Sequence, residues 1–252
     1  MVITLFVVSD VHGHYTELME ALNKAGFDKD NPCHYFVSCG DLFDRGTENT
    51  KVYEFVKSLR RKFLIKGNHE DMLLNCDFLY KEVTEEDLRE IGQDQMFWYR
   101  NWMRNGAGPT VRGLQELLRR DPELVEGILE YLREAPLYAC VKAGGEEYVL
   151  VHSGLGHFRK RRPLKNYSRH DLLWERPTVD TVYYSGKTVI FGHTPTAFYG
   201  EEYRGKELRT DTWICIDAGA AMGEMPMLLR LDDKKAFYGK REDHENEDKS
   251  EE

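Results

Sequence analysis

The first eighty residues alternate between short apolar runs and longer segments with helical periodicity. The apolar runs cover 2–8, 34–39 and 61–67, and the periodic segments cover 14–27, 47–59 and 69–80. A short β-branched run is typical of a buried strand, whereas apolar residues three and four apart indicate a helix. Because strand–helix–strand units place their strands side by side and parallel, the alternation predicts an α/β fold with a helix-covered sheet.

The rest of the chain has a helical part and a strand-rich part. Residues 83–135 are rich in Leu, Glu and Arg at helical spacing, which predicts a helical insertion. Strand-like runs follow at 137–143, 147–154, 187–193, 212–219 and 225–233. Their close spacing predicts a second, mixed sheet. Because no linker-like segment interrupts the chain, we expect a single domain over 1–239, followed by a charge-rich, disordered acidic tail at 240–252.

The charge balance bears on the partners of the protein. Acidic residues outnumber basic residues by 44 to 35. This excess gives no electrostatic attraction to nucleic acid or to a membrane surface, so we expect neither as a partner. No apolar run approaches the ~20 residues that a membrane span requires. The five cysteines are scattered without paired spacing, which favours a reducing, cytoplasmic setting.

Polar side chains follow five of the predicted strands at the point where each strand ends. They are Asp10 and His12, then Asp41, Asp44 and Arg45, then Asn68 and His69, and finally His152 and His193. In α/β sheets ligands bind beyond the carboxyl ends of the strands, so we expect these side chains to lie together. Imidazole combined with carboxylate suits Mn, Fe or Zn. Asp10 and His12 are two apart, and on an extended segment they would face the same way.

Three motifs include most of these residues. They read "DVHG" at 10–13, "GDLFDRG" at 40–46 and "GNHE" at 67–70, and "VHSG" and "GHTP" follow downstream. With them the chain resembles the metallophosphoesterase superfamily, and more closely the PPP-type serine/threonine protein phosphatases of bacteria and phages. The resemblance implies a calcineurin-like phosphoesterase domain, in which two mixed sheets form a βαβ sandwich flanked by helices.

The resemblance also implies a site with two divalent metal ions, with Mn expected and Fe, Zn or Co as alternatives. Asp41 would bridge the ions. The remaining ligands would be Asp10 and His12 on the first ion and Asn68, His152 and His193 on the second. A hydroxide bound to the two ions would attack phosphorus directly and in line, without a phosphoenzyme.

Five further residues receive roles from the resemblance. His69 would act as the general acid on the leaving group, and Asp44 would orient its ring. Arg45 would bind the substrate phosphate, and so would Arg176, which stands in the "LLWER" pattern. Asn105 lies in "NGAGPT", where Ala107 replaces a glycine of the bacterial pattern, and it is the weakest of the substrate-binding candidates.

Three functions remain open from the sequence. The main expectation is a serine/threonine or dual-specificity protein phosphatase acting on phosphorylated proteins or small phosphoesters. The alternative is a hydrolase of dinucleoside polyphosphates or other nucleotides. Because symmetrical diadenosine tetraphosphatases typically carry another residue at the position of Asp44, its presence favours the phosphatase. A non-catalytic scaffold is disfavoured, since every expected ligand and His69 are present.

Overall fold

Two five-stranded sheets lie at the centre of the protein, whose computed structural model describes residues 3–80 and 92–239. The first sheet contains β1 (Thr4–Val8), β2 (His34–Ser38), β3 (Lys62–Leu64), β9 (Met227–Arg230) and β10 (Lys235–Tyr238). Its order is β10-β9-β1-β2-β3. The strands β1, β2 and β3 are parallel, whereas β9 pairs antiparallel with β1 and β10.

The second sheet is also mixed. It contains β4 (Tyr138–Ala143), β5 (Glu146–Val151), β6 (Thr188–Phe191), β7 (Leu208–Arg209) and β8 (Trp213–Cys215). The order is β4-β5-β6-β8-β7. The central strands β5, β6 and β8 are parallel, and the edge strands β4 and β7 are antiparallel to their neighbours. The predicted α/β fold of two mixed sheets flanked by helices is confirmed.

Helices cover the sheets. They are α1 (Tyr15–Ala25), α2 (Asn49–Ser58), α3 (Asn68–Asn75), α4 (Gln93–Arg104), α5 (Gly108–Arg120), α6 (Pro122–Glu134) and α7 (Arg169–Leu173). The left-handed Gly26 ends α1, as helix C-termini often require. Among the described residues, no helix has the length and apolar character needed to cross a membrane.

The side chains of β1 show how one strand serves two cores. Leu5 and Val7 belong to the buried cluster between the sheets, which also contains Ile190 of β6. Phe6 belongs to the cluster under the helices, together with Leu22 of α1. Because successive side chains of a strand point to opposite faces, the continuous apolar run buries β1 on both sides.

Three of the helices occupy the region predicted as a helical insertion. The helices α4, α5 and α6 pack into the same core as α1 and α2, with Trp102, Leu117 and Leu132 fully or almost fully buried. Residues 83–91 of the predicted insertion and the predicted disordered tail at 240–252 lie outside the described residues. The single-domain boundary at 239 stays a prediction.

The strand predicted at 225–233 was assigned to the wrong sheet. As β9 it joins the first sheet, where Leu229 lies opposite Val7 of β1. Its closeness in sequence to β8 was misleading, because the free edge of β1 is the one that needs a hydrogen-bonding partner. The neighbouring β10, the two-residue β7 and the short α7 were not predicted, since their runs are too short for a periodic signal.

The interface between the sheets predicts a stability difference between two matched substitutions. Val7→Ala removes buried methyl groups, so we expect the free energy of unfolding to fall by about 2–3 kcal/mol. Val182 is 69% exposed, and Val182→Ala should stay within about 0.5 kcal/mol of the parent. Urea unfolding in chelator measures both, because bound metal would add its own stabilisation. Equal losses would contradict the packing.

Candidate active site

The predicted site residues meet at the carboxyl ends of strands from both sheets. In the first sheet, Asp10 and His12 follow β1, Asp41 follows β2, and Asn68 follows β3 as the first residue of α3. In the second sheet, His152 follows β5 and His193 follows β6. All six side chains are buried. The sequence predicted that these side chains would lie together beyond the strand ends of one sheet edge. In the structure they do lie together, but the strand ends come from both sheets.

The loops that carry the site are strained. Six of their non-glycine residues have a left-handed backbone, with φ of 52° at Asp10, 47° at His12, 55° at Asp41, 74° at Asp44, 66° at Arg45 and 64° at His193. This conformation costs about 1–2 kcal/mol per residue, so the surrounding packing must impose it. The prediction that Asp10 and His12 stand on an extended segment was wrong. A tight turn, rather than strand alternation, brings them together.

Two groups of ligand-type atoms share Asp41. One contains His12, Asp41 and His69, and the other contains Asp41, His152 and His193. Asp10 borders the first group, with its Oδ1 3.9 Å from Nε2 of His12. The second group includes Asn68, whose Oδ1 lies 2.8 Å from Nε2 of His152 and 2.8 Å from Nδ1 of His193. The shared carboxylate thus occupies the position that a bridging ligand would need.

The hydrogen bonds of the histidines test whether these groups fit cations. Nδ1 of His12 lies 2.7 Å from the carbonyl oxygen of Phe43 and must donate a hydrogen, since a carbonyl only accepts. In the neutral ring, Nε2 then directs a lone pair at Asp10 and Asp41, whose nearest oxygens lie 3.9 Å and 3.8 Å away. A backbone carbonyl holds His152 in the same way. A cation between these lone pairs and carboxylates would stabilise both, so the donor set fits divalent metal ions.

Burial governs the protonation of this region. It lowers the pKa of His12 well below its usual value, and the neighbouring His69 lowers it further. It also raises the pKa of Asp41 well above its usual range, with the Asp10 carboxylate as the next cause. Both shifts favour the neutral form of the group, because a low dielectric disfavours an uncompensated charge. A divalent cation would compensate the carboxylates and would keep the imidazoles neutral.

His69, a member of the first group, also belongs to a buried hydrogen-bonded group with Asp44 and Trp102. Its Nδ1 lies 2.6 Å from Oδ2 of Asp44, and the indole Nε1 of Trp102 donates to the same oxygen at 2.7 Å. Burial raises the pKa of Asp44 to about 7, although hydrogen bonds with Thr110 and Trp102 act against the rise. Sequence reasoning missed Trp102, although it stands one helical turn before Asn105 in the segment already considered.

Glu70 connects two of the motif loops. Its carboxylate accepts backbone hydrogen bonds from Asp41 at 2.8 Å, Leu42 at 2.9 Å and Gly67 at 2.8 Å. The bond from Gly67 belongs to a capping box at the N-terminus of α3. The two bonds to the loop after β2 were not foreseen, because nothing in the local sequence indicates which distant amides a buried carboxylate will accept.

The proposed phosphate-binding residues surround the metal-ligand groups. Arg45 is exposed, with its Nη2 3.3 Å from Nε2 of His69 and its Nε 3.3 Å from the carbonyl oxygen of Asn105. Arg176 is also exposed and donates from Nη1 to the His193 carbonyl at 3.1 Å and to Oγ1 of Thr194 at 3.2 Å. Asn105 thus contacts Arg45 through its main chain, while its side-chain amide donates to a carbonyl within α4.

Comparison with known proteins places this chain among phosphoesterases. The model of the calcineurin-like phosphoesterase family matches residues 3–220. The asymmetrical bis(5'-nucleosyl)-tetraphosphatase PrpE of Bacillus subtilis is 27% identical over 246 residues, covering 86% of each chain. The symmetrical bis(5'-nucleosyl)-tetraphosphatase of Coxiella burnetii is 32% identical over 150 residues, covering 60% of this chain and 41% of its own.

Solved structures show the same fold. A protein provisionally assigned as a diadenosine tetraphosphatase superposes with a TM-score of 0.60 and 17% identity, covering 94% of both chains. A Saccharomyces cerevisiae serine/threonine phosphatase similar to human PP5 superposes with a TM-score of 0.54 and 15% identity. That match covers 94% of this chain and 78% of the yeast one. At these identities the likeness concerns the fold alone.

The contact between Gly67 and Asp41 predicts a selective loss of metal affinity. A Cβ at Gly67 would clash with Oδ1 and the backbone nitrogen of Asp41 and would approach Oε2 of Glu70 at 2.8 Å. We therefore expect Gly67→Ala to weaken Mn²⁺ binding by about 10-fold or more, the size of effect seen when the support of a ligand is disturbed. Isothermal titration calorimetry measures the affinity, and circular dichroism checks the fold.

Gly127→Ala is the matched control for this substitution. Gly127 lies in α6, and the nearest atom to an added Cβ would be 4.0 Å away. Its Mn²⁺ affinity should equal that of the parent. Unchanged Mn²⁺ affinity in a folded Gly67→Ala variant would mean that metal binding by Asp41 does not depend on its contact with Gly67.

Proposed function

The chain belongs to the calcineurin-like phosphoesterase family, and from this premise we propose that it hydrolyses dinucleoside tetraphosphates asymmetrically, releasing a nucleoside triphosphate and a nucleoside monophosphate. The observation that carries the proposal is the match over 86% of both chains with an asymmetrical bis(5'-nucleosyl)-tetraphosphatase. The chain is a metallophosphoesterase with buried carboxylate, imidazole and amide groups that can bind metal. The identity of the substrate is the proposed part.

The first step of the proposed reaction is the positioning of one phosphoryl group. Asp10, His12, Asp41, Asn68, His152 and His193 would hold two divalent ions, which supply an activated water and neutralise phosphate charge. Arg45 and Arg176 would bind the non-bridging oxygens. Both guanidinium groups are exposed at the edge of the ligand groups, and a guanidinium can form two parallel bonds to phosphate. A polyphosphate chain offers several such oxygens.

The second step concerns the leaving group. In the structure Nη2 of Arg45 lies 3.3 Å from Nε2 of His69. Because a guanidinium can only donate, Nε2 of His69 is the acceptor. A bound phosphate would draw Arg45 away, and Nε2 would then take up a proton from solvent. The imidazolium would deliver this proton to the departing oxygen and return to the neutral ring. Asp44 stabilises the protonated ring, because its oxygen lies 2.6 Å from Nδ1. Trp102 donates to the same carboxylate oxygen and helps to hold it in place.

Hydrolysis of phosphorylated serine, threonine or tyrosine is the second candidate function. The buried pair of Asp44 and His69 favours it, because an alkoxide leaving group needs a proton far more than a nucleotide phosphate does. Manganese is the metal we propose for either reaction, with Fe, Zn and Co as alternatives, since nitrogen and oxygen ligands accept all of them.

The two candidates differ in a substrate panel on the Mn-loaded enzyme. We expect kcat/KM for diadenosine tetraphosphate to exceed that for a phosphoserine peptide by about 10-fold or more, a binding difference that a few nucleotide contacts can supply. Chromatography should show ATP and AMP as products, and chelation should abolish their release. Two molecules of ADP would indicate symmetrical cleavage. A preference for the peptide would reverse the order of the candidates.

The role of His69 predicts a dependence on the leaving group. His69→Asn should lower kcat for an alkyl phosphate by about 10²–10⁴-fold, the range for loss of a general acid. The loss for p-nitrophenyl phosphate should be much smaller, because nitrophenolate leaves without protonation. His14→Asn is the matched control, since His14 pairs with Glu17 on α1 outside the ligand groups, and its rates should not change. Equal losses on both substrates would argue against proton donation by His69.

A further inference from the structure

A cavity of about 640 Å³ lies beside the candidate metal site. Its walls come from the segment after α7 and from the turn after β6. Lining side chains include Arg176, Pro177, Val179, Thr194, Phe198 and Tyr199. Ligand pockets for small molecules commonly measure about 300–1,000 Å³ and combine apolar walls with a few polar groups. The cavity therefore has the size and composition of a site for a small organic molecule.

The cavity adjoins the ligand groups through two residues. Thr194 follows His193 directly in the chain, and Arg176 joins the pair by donating to the His193 carbonyl and to Oγ1 of Thr194. The guanidinium thus forms the boundary between the cavity and the proposed position of the phosphoryl group. A molecule that fills the cavity would present a phosphate attached to it at Arg176.

The walls suit a flat aromatic group. Phe198 is 66% exposed and Val179 is 48% exposed, so both present large apolar surface to solvent at the cavity. Nucleic acid bases stack on such rings without sequence preference, because every base has a π-face. Tyr199 adds a second aromatic wall, and the exposed Thr178 offers a hydroxyl for polar groups at the edge of a base.

We infer that this cavity binds the base of the nucleotide whose phosphate occupies the site at Arg176. The inference rests on the proposed function and deepens it, because it assigns recognition of the nucleoside to Phe198 and its neighbours. Recognition of a base distinguishes the substrate from inorganic polyphosphate and from simple phosphate esters. A phosphopeptide side chain is the competing occupant, and the experiment separates the two.

The test compares two inhibitors of p-nitrophenyl phosphate hydrolysis by the Mn-loaded enzyme. AMP and ribose 5-phosphate share the sugar and the phosphate, and they differ chiefly in the base. We expect AMP to inhibit at a concentration about 10-fold lower or more, the contribution expected of one stacked base. Phe198→Ala should remove this advantage while leaving inhibition by ribose 5-phosphate, which carries no aromatic group, unchanged.

Two further variants serve as controls. Phe198→Tyr keeps the aromatic ring and should keep the AMP inhibition constant within about twofold, since stacking depends on the ring face. Phe97 is 63% exposed on α4, outside this cavity, and Phe97→Ala should preserve the advantage of AMP. A loss in Phe97→Ala equal to that in Phe198→Ala would overturn the assignment to this cavity.

The outcomes for the cavity and for the proposed function are distinguishable. Equal inhibition by AMP and ribose 5-phosphate, in an enzyme that cleaves diadenosine tetraphosphate, would overturn the cavity assignment alone. A base preference dependent on Phe198, in an enzyme that does not cleave diadenosine tetraphosphate, would support the cavity and refute the proposed function. If Phe198→Ala lowers kcat/KM for a phosphotyrosine peptide and leaves AMP inhibition intact, the cavity belongs to a peptide side chain.

Discussion

The geometry of the site depends on one buried carboxylate that binds no substrate in the proposed mechanism. Glu70 accepts three backbone hydrogen bonds, two from the loop after β2 and one from the N-terminus of α3. Hydrogen bonds to an ionised group are stronger than those between neutral groups, and in a low dielectric they compensate the buried charge. Because Asp41 donates one of them, the shared ligand of both groups is fixed by Glu70 before any ion binds.

This arrangement concentrates acceptors and lone pairs in a buried region, where the nearby Arg45 offsets the carboxylate charge only in part. His12 and His152 donate from Nδ1 to backbone carbonyls, so their other nitrogens face the carboxylates of Asp10 and Asp41. Strained backbone at six loop residues holds these groups close together. Such strain persists only where the surrounding structure imposes it. Divalent ions would relieve the repulsion among the carboxylates and the nitrogen lone pairs, and their binding would therefore stabilise the folded chain.

The sequence predicted the parts of the structure that are encoded locally. Alternating apolar runs and helical segments indicated the α/β class, and the motif residues at strand ends indicated where the site would form. Contacts between distant segments left no comparable signal. The pairing of β9 with β1 depends on which sheet edge is free, and the bond from Trp102 to Asp44 joins helix α4 to a loop 58 residues earlier in the chain. Turn geometry at Asp10 and His12 was likewise hidden, because the left-handed conformation is imposed by packing.

The buried group around Asp44 constrains which substrates the site can serve. Burying a carboxylate without a charged partner is unfavourable, and here burial raises the pKa of Asp44 to about 7. A chain that only cleaved anhydrides with good leaving groups would have little use for the role proposed for Asp44, the stabilisation of protonated His69. In the proposed mechanism the pair would give the tetraphosphatase the chemistry to release alkoxides as well. Discrimination among phosphate esters would then come from the surroundings of the proposed metal ligands, and the exposed aromatic wall beside Arg176 is the surface to which we assign it.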